Sequence, residues 1–393
     1  MKITKVIPIV HREFPNVIHV EVHTDEGFIG LGETYYFGQT VAHFIREFVA
    51  PSIIGKDPLN REDISKILTT YVGYNGSGVE TRARSAVDIA LWDIAGKVLN
   101  RPIYQLLGAR ETRPLRIYNT CAGNHYMRKS NQSSNSWGLD SDSGKLEDLK
   151  AFLTDAGSLA RDLLSEGITA MKIWPFDLYA EKNWGSEISD EDLKSGLRPI
   201  ISIREAVGQK MDIMVELHAL WSPKAAKKIM DALKDYGIFW VEDPLHPDLL
   251  DELASLRGSC MPPIAHGETI ASKKRVQTLV QQNLIDFLTL DLSWCGGLTE
   301  GLEFASLAKS NGVKIAPHDC TGPVGLTIGA HLSTADSNAV IQETVRSALR
   351  TWYPHLVSGL PSVEAGFLTV SAKPGLGLSL QEDFKTDALS FHS

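Results

Sequence analysis

The chain lacks several features that mark particular classes of protein. Its 393 residues include only four cysteines, Cys121, Cys260, Cys295 and Cys320, and no two of them form a CxxC pair. A disulfide framework or a zinc knuckle is therefore not expected. The first residues lack the apolar stretch and cleavage site of a signal peptide, and no apolar run is long enough to span a bilayer. These absences predict a cytoplasmic protein with no membrane partner.

Clusters of lysine and arginine are also missing, and the net charge is −9. Both features disfavour a nucleic-acid partner. The composition, with 43% hydrophobic and 22% charged residues, is that of a globular protein. A small anionic substrate remains compatible with the negative charge, because a bound metal ion can invert the local field.

The length predicts two domains. Residues 3–10, 17–23 and 28–33 alternate like antiparallel strands, and apolar residues at helical spacing predict a helix over 80–99. We expect residues 1–113 to form an α+β capping domain, which the tail from about residue 353 to 393 completes.

Residues 114–352 have a different pattern, in which short β-rich runs alternate with amphipathic helical segments. The eight runs are Leu115–Cys121, Ala170–Trp174, Asp212–Glu216, Ile238–Glu242, Pro263–Glu268, Phe287–Asp291, Val313–His318 and Ala339–Glu343. This alternation predicts an α/β fold, a modified TIM (β/α) barrel, as the catalytic domain. The polar segment Asn124–Lys145 does not fit the alternation and is interpreted as a long loop, of the kind that often covers an active site.

Polar residues stand at the carboxyl ends of the predicted barrel strands. They are Lys172, Glu216 with His218, Glu242, Glu268, Asp291, His318 and Glu343. From Glu216 onward the strand-end residues are 23 to 27 residues apart, which is one βα unit. All of them are therefore predicted to lie on the rim of the barrel where TIM-barrel active sites are found.

Three of these residues suggest a metal site. Glu216, Glu242 and Glu268 come from successive strands, so their carboxylates should converge, and three carboxylates do not stay ionised together without a cation. An all-oxygen ligand set suits Mg²⁺ or Mn²⁺ better than Zn²⁺. The alternative is that one or two of the glutamates pair with Lys172 or with arginines.

Two histidines suggest proton transfer. Asp291 and His318 end adjacent strands, and a carboxylate bound to one imidazole nitrogen makes the other nitrogen a better base. The alternative for His318 is a buried histidine satisfied by a neighbouring acid. His218 shares a strand face with Glu216, where it is either a general acid or a support for the metal ligands.

Placed in this way, several motifs resemble those of the enolase superfamily, in particular the mandelate racemase branch that contains the acid-sugar dehydratases. The likeness covers nearly the whole chain. The motifs are ARSAVDIALWDIAG at 83–96, FWVEDP at 239–244, AHGE at 265–268, DLSWCGG at 291–297, APHDCTGP at 316–323 and IQE at 341–343.

The resemblance implies a role for each strand-end residue. It implies that Glu216, Glu242 and Glu268 hold one Mg²⁺ per subunit, which binds the carboxylate of a small substrate. It further implies that His318, paired with Asp291, removes the α-proton. Lys172 and a protonated Glu343 would then stabilise the resulting enediolate together with the metal.

The sequence departs from the branch at two positions. The first metal ligand is usually Asp, whereas here it is Glu216. Members that act on both faces of the substrate carry Lys-x-Lys, whereas here the segment is Lys172-Ile173-Trp174. The indole of Trp174 takes no proton, so His318 is left as the base.

A single base disfavours a racemase. Glu216-Leu217-His218 resembles the Asp-x-His of galactonate-type and mannonate-type dehydratases. This resemblance implies elimination of water, in which His218 protonates the departing 3-hydroxyl and the product is a 2-keto-3-deoxy acid. The alternatives are a racemase, epimerase or cycloisomerase of the same superfamily, or a relative that binds without catalysis. By the same resemblance, Trp174, Tyr35 and Tyr36 are predicted to contact the substrate, and the protein is predicted to form a homo-oligomer, either a dimer or an octamer.

Overall fold

A computed structural model describes residues 1–69, 77–126, 137, 139, 146–259, 262–387 and 389–390. Most of the predicted loop Asn124–Lys145 thus lies outside the described residues. The strands are β1 Ile3–Val10, β2 Val17–Thr24, β3 Ile29–Tyr35, β4 Leu115–Thr120, β5 Ala170–Ile173, β6 Asp212–Glu216, β7 Trp240–Glu242, β8 Ile264–His266, β9 Phe287–Leu288, β10 Lys314–Ile315, β11 Gln342–Thr344, β12 Val357–Ser358, β13 Ser362–Glu364, β14 Phe367–Thr369, β15 Ser379–Leu380 and β16 Leu389–Ser390.

The helices account for most of the remaining described residues. They are α1 Gly38–Phe44, α2 Ala50–Ile53, α3 Arg61–Leu68, α4 Val79–Val98, α5 Ile103–Leu106, α6 Asp148–Ser165, α7 Asp177–Ala180, α8 Asp190–Val207, α9 Pro223–Leu233, α10 Leu250–Ser259, α11 Lys273–Gln281, α12 Leu298–Ser310, α13 Pro323–Ala335, α14 Arg346–Arg350, α15 Tyr353–Leu356 and α16 Glu382–Asp387. A π-helical turn at Ile45–Val49 joins α1 to α2, and short 3₁₀ turns follow α8 and α9.

The N-terminal cap is an antiparallel sheet with helix α4 packed on it. β1, β2 and β3 pair in sequence, as their alternating pattern predicts. Glycines on β3 let α4 approach closely, because a Cβ at Gly30 or Gly32 would lie only 2.1 Å from Ala90 O or 1.7 Å from Ala86 O, respectively. The sheet and α4 enclose an apolar core of their own.

Strands β4 to β11 form the predicted barrel. Neighbouring strands pair in parallel from β4 through β10, and β11 pairs in parallel with β4. A bridge between Ile315 and Ala339 completes the circle. Each strand is followed by at least one helix, so the predicted TIM-type barrel with an N-terminal cap is confirmed.

The tail contacts both the cap and the barrel. β14 pairs with β4 of the barrel, whereas β16 pairs with β1 of the cap. The amide of Leu376 donates to Asp93 Oδ1 on α4, at 2.8 Å. The exact division into residues 1–113 with 353–393 and residues 114–352 stays a prediction.

Candidate active site

Three glutamates converge at the carboxyl end of the barrel. Glu216 ends β6, Glu242 ends β7 and Glu268 follows β8. Parallel pairing places Glu216 opposite Glu242, so the two carboxylates start from neighbouring positions. One carboxylate oxygen from each of the three buried residues lies within 4.8 Å of the others.

The trio fits a hard divalent cation. Glu242 Oε1 is buried and has no hydrogen-bond partner among the described residues, which is costly for an ionised oxygen. Burial and the nearby carboxylates raise the pKa of Glu242 well above its usual range and that of Glu268 to about 7. A cation between them would reverse this repulsion. Oxygens around an octahedral Mg²⁺ at about 2.1 Å lie roughly 3 to 4 Å apart, which this spacing can meet.

Lys172, at the end of β5, also contacts these acids. Its Nζ lies 3.0 Å from Glu343 Oε1, 3.2 Å from Glu242 Oε2 and 3.4 Å from Glu216 Oε2. Burial lowers the pKa of Lys172, but the charges of Glu242 and Glu343 outweigh it, so the pKa lies well above normal. The ion pairs considered as an alternative to a metal site are therefore present, yet one ammonium group cannot balance all the carboxylates.

Glu343 lies on β11 and is fully buried. Its Oε1 accepts a hydrogen bond from Thr120 Oγ1, and its Oε2 accepts one from the amide of Asp319 at 2.8 Å. Burial raises the pKa of Glu343, but Lys172 and His318 outweigh burial and hold it below its usual range. Glu343 is thus an acceptor in this arrangement, and its predicted role as a protonated donor stays a prediction.

His318 and Asp291 form a buried pair just beyond the ends of the neighbouring strands β10 and β9. His318 Nδ1 lies 2.8 Å from Asp291 Oδ2, and the amide of Ser293 donates to Asp291 Oδ1 at 2.6 Å. The carboxylate therefore orients the ring and leaves Nε2 directed at the site, 3.1 Å from Glu268 Oε2 and 3.5 Å from Cys320 Sγ. Burial lowers the pKa of His318, but Glu268 and Glu343 outweigh it and raise the pKa well above normal.

His218 lies on the side of the trio next to Glu216. Its Nδ1 is 2.6 Å from Asp177 Oδ2, on the short helix α7 that follows β5. His218 has a φ of 47°, an uncommon value for a residue other than glycine. Its amide donates to Glu216 Oε1 at 2.8 Å, which stabilises this turn. Burial lowers the pKa of His218, but Asp177 and Glu216 raise it to about 10 overall.

Trp174 fills the position of the lysine that the sequence lacks. Its indole ring is buried among aromatic rings, with centroids 5.1 Å from Tyr126, 5.3 Å from Phe152 and 6.0 Å from His218. Its Nε1 has no hydrogen-bond partner among the described residues. The predicted contact residue is therefore beside the candidate acid.

Tyr35 and Tyr36 differ in their surroundings. Tyr35 is buried in the main core. Tyr36 is half-buried, and its ring lies 5.7 Å from that of Trp294. Burial raises the pKa of Tyr36. The Trp294 ring beside it lies 5.1 Å from the ring of His318, so Tyr36 is next to the candidate site. Of the two predicted tyrosines, the structure brings only Tyr36 to the site.

Sequence reasoning missed three residues of this site. Asp177 stands within a loop and short helix, so no strand-end pattern marks it. Trp294 lies inside the motif 291–297, where nothing distinguishes an indole that faces the site. Arg82, on α4, lies over the Trp294 ring at 4.5 Å and reaches the barrel only in the folded chain.

Comparison with known proteins agrees with this geometry. Residues 155–384 match the model described as "Enolase C-terminal domain-like", and residues 6–108 match "Mandelate racemase / muconate lactonizing enzyme, N-terminal domain". A capped TIM barrel with three strand-end carboxylates is the arrangement of the enolase superfamily. The chain belongs to this superfamily, and within it to the mandelate racemase subgroup.

Individual relatives span nearly the whole chain. A solved enolase of the mandelate racemase subgroup from Agrobacterium tumefaciens is 42% identical, with a TM-score of 0.88, over 100% of this chain and 98% of the other. A "D-xylonate dehydratase" from Haloferax volcanii is 28% identical over 95% of this chain and 85% of its own. A "D-galactonate dehydratase family member" from Musicola paradisiaca is 30% identical over 92% and 88%, respectively.

The structure bears on one of the predictions about membrane association, cellular location and oligomeric state. Among the described residues, no helix is both long and apolar enough to cross a membrane. Cytoplasmic location and assembly into a dimer or octamer stay predictions.

Proposed function

We propose that the protein is a Mg²⁺-dependent acid-sugar dehydratase, a lyase that removes water from a polyhydroxy carboxylic acid. One observation carries the proposal: two histidines flank the glutamate trio, and each is held by its own carboxylate. His318 is paired with Asp291 beside Glu268, and His218 is paired with Asp177 near Glu216. A β-elimination needs a base that takes the α-proton and an acid that protonates the departing hydroxyl, and the two histidines can divide these roles.

His318 is the proposed base. Asp291 accepts a hydrogen bond from Nδ1–H, so Nε2 is the nitrogen that takes the proton from the α-carbon of the substrate. A cation held by Glu268 would offset the carboxylate charge that raises the pKa of His318 and would thereby favour the neutral ring that this role requires. Bound Mg²⁺, held by Glu216, Glu242 and Glu268, would supply positive charge to the substrate carboxylate and make that proton more acidic. Mn²⁺ would serve in the same way.

Lys172 stabilises the negative charge that then forms on the carboxylate. Its ammonium group is buried among the acids and needs no reorganisation when the charge develops. Glu343 fixes the position of Lys172 through their 3.0 Å contact.

His218 is the proposed acid. It donates its proton to the 3-hydroxyl as the bond between C3 and that oxygen breaks, so water leaves with the bonding electron pair. The electrons left by the α-proton form the C2–C3 double bond. The enol then takes a proton at C3, releases the proton of its C2 hydroxyl and becomes the 2-keto-3-deoxy acid, so substrate equals product plus one water.

Trp174 argues against a racemase or epimerase. Inversion at the α-carbon needs a base on each face, and the position that would supply the second base holds an indole that carries no titratable proton. The curated relatives support elimination as well, because one is named a D-xylonate dehydratase and another a member of the D-galactonate dehydratase family.

The test is proton NMR in D₂O with Mg²⁺ and a panel of aldonic and aldaric acids. We expect a 2-keto-3-deoxy product from at least one acid, and no product from His318→Asn. A protein that exchanges or inverts the α-proton without losing water would be an epimerase or racemase instead. A control for the effect of substituting a buried side chain is Trp92→Phe, which removes an indole N–H that donates to Thr299 Oγ1 at 3.0 Å, away from the trio. This variant should form the same product as the wild type.

A further inference from the structure

Trp294 is placed between the reaction centre and the cap. It follows Asp291 by three residues, and its ring centroid lies 5.1 Å from that of His318. On the cap side, the ring contacts Tyr36 at 5.7 Å and lies under the Arg82 guanidinium at 4.5 Å. The residue therefore borders the space between the proposed base and the cap.

Among the residues that the structure describes, the indole N–H of Trp294 has no hydrogen-bond partner. The side chain is 4% exposed, and its Nε1 makes no hydrogen bond to any described residue. A buried donor without an acceptor is costly, and buried indole N–H groups usually find a partner. A ligand oxygen bound beside the ring would supply that partner.

Arg82 holds the ring in place. Its Nη1 donates to Tyr35 O at 2.6 Å and its Nε donates to Ser77 O at 3.1 Å, so the guanidinium is fixed to the cap backbone. No carboxylate of the described chain lies within ion-pair distance of it. The buried cation lies over the face of the indole, and this contact stabilises the observed orientation of Trp294.

We propose that Trp294 is a specificity-determining residue, whose N–H donates a hydrogen bond to a hydroxyl of the substrate chain beyond the α-carbon, and that Arg82 is its positioning residue. The inference rests on the proposed function, since it takes the ligand to be an acid sugar. The recognised class is then a carboxylic acid with a hydroxyl on the carbons that reach toward the cap, rather than one with an alkyl or aryl chain there.

Trp294→Phe keeps the ring and removes only the N–H. We expect kcat/KM for the best acid sugar to fall by about 10- to 100-fold, as for the loss of a hydrogen bond that leaves an oxygen unpaired. The same variant should act like the wild type on an analogue that lacks the recognised hydroxyl. Arg82→Met should show a similar loss and Arg82→Lys a smaller one, because lysine keeps the cation.

The matched control is the pair Trp92 and Arg61, in which a guanidinium also lies over an indole, at 3.9 Å, but away from the trio. Trp92→Phe should leave kcat/KM unchanged. Equal losses for Trp294→Phe on the hydroxylated acid and on its deoxy analogue would overturn the proposal, and so would no loss on either.

Measurements of binding test the role of Trp294 independently of whether the protein is a dehydratase. In a His318→Asn background with Mg²⁺, titration calorimetry measures the affinity for the same acids without turnover. Weaker binding of only the hydroxylated acid after Trp294→Phe would support the role of Trp294 even if no dehydration were found in the wild type. Unchanged binding of every acid in that background would contradict it, whatever the reaction.

Discussion

His218 Nδ1 lies 2.6 Å from Asp177 Oδ2, and this contact joins the loops that follow β5 and β6. It fixes the ring of the proposed acid beside Trp174. The pair on one side of the trio thus has the same chemistry as the pair of His318 and Asp291 on the other. The proposed function nevertheless assigns the two pairs separate tasks, which substitutions can test.

Asp177→Asn should slow dehydration more than α-proton exchange. Asparagine keeps the size of the side chain but not its charge, so His218 is held less firmly as an imidazolium. We expect kcat for dehydration to fall by about 10- to 100-fold. Deuterium exchange at the α-carbon of a 3-deoxy analogue should stay unchanged. The control is Asp192→Asn, which removes an exposed pair with Lys182; equal loss of both reactions would refute separate roles.

His318→Asn should abolish both reactions. Asparagine cannot take the α-proton, so deuterium exchange and dehydration should each fall by at least about 100-fold. The Mg²⁺-dependent rise in melting temperature should persist, because His318 is not among the three proposed ligands. Exchange that survived in the variant, followed by NMR in D₂O, would show that another group is the base.

Removal of the metal should lower both activity and stability. A ligand that binds only the native state stabilises it, by about 2.7 kcal/mol at a concentration 100 times its Kd. We therefore expect Mg²⁺ to raise the melting temperature of the chelated protein, as measured by calorimetry. Glu242→Gln should lose this response, since it replaces an oxygen anion of the trio. If Mg²⁺ raised the melting temperature of that variant as much as that of the wild type, the metal would bind elsewhere.

His331, on α13, should make the protein less stable in acid. Its Nδ1 accepts from the amide of Tyr104 at 3.3 Å and its Nε2 donates to Leu376 O at 3.2 Å, a pattern that only a neutral ring can make. Burial lowers its pKa to about 4. The unfolded chain therefore binds more protons between about pH 6.5 and 4, so stability falls as the pH falls through that window.

The size of this effect follows from the two pKa values. Relative to pH 8, the contribution of His331 to the free energy of unfolding should drop by about 2 kcal/mol at pH 5. Denaturant unfolding of the wild type and of His331→Gln at both pH values measures this contribution. The difference in the free energy of unfolding between the two proteins should be smaller at pH 5 than at pH 8. An equal difference at both pH values would mean that His331 does not titrate in this way.

The barrel could be predicted from the sequence because its strand ends recur with the βα period. That period brings Glu216, Glu242 and Glu268 to one rim whatever the loops do. The assigned strand β9, Phe287–Leu288, is shorter than the predicted strand 287–291. The amide of Thr289 nevertheless donates to His266 O at 3.1 Å, and the amide of His318 donates to Leu290 O at 3.0 Å, so strand-like pairing continues up to Asp291.

The pairing of His218 could not be predicted in the same way. Asp177 follows β5 by four residues, within a loop whose path depends on tertiary contacts. Arg82 is distant from Trp294 in sequence and meets it only because α4 packs against the barrel. Periodicity carries no information about such contacts, and a motif shows only that a residue is present, not where it faces.

The contact between Arg82 and Trp294 has a consequence for exchanging parts between relatives. The indole belongs to a barrel motif, but the group that orients it belongs to the cap. A chimaera that combines this barrel with a foreign cap would keep all three glutamates and both histidines. Unless the donor cap also placed a cation over the ring, the hybrid would retain its chemistry and lose its selectivity.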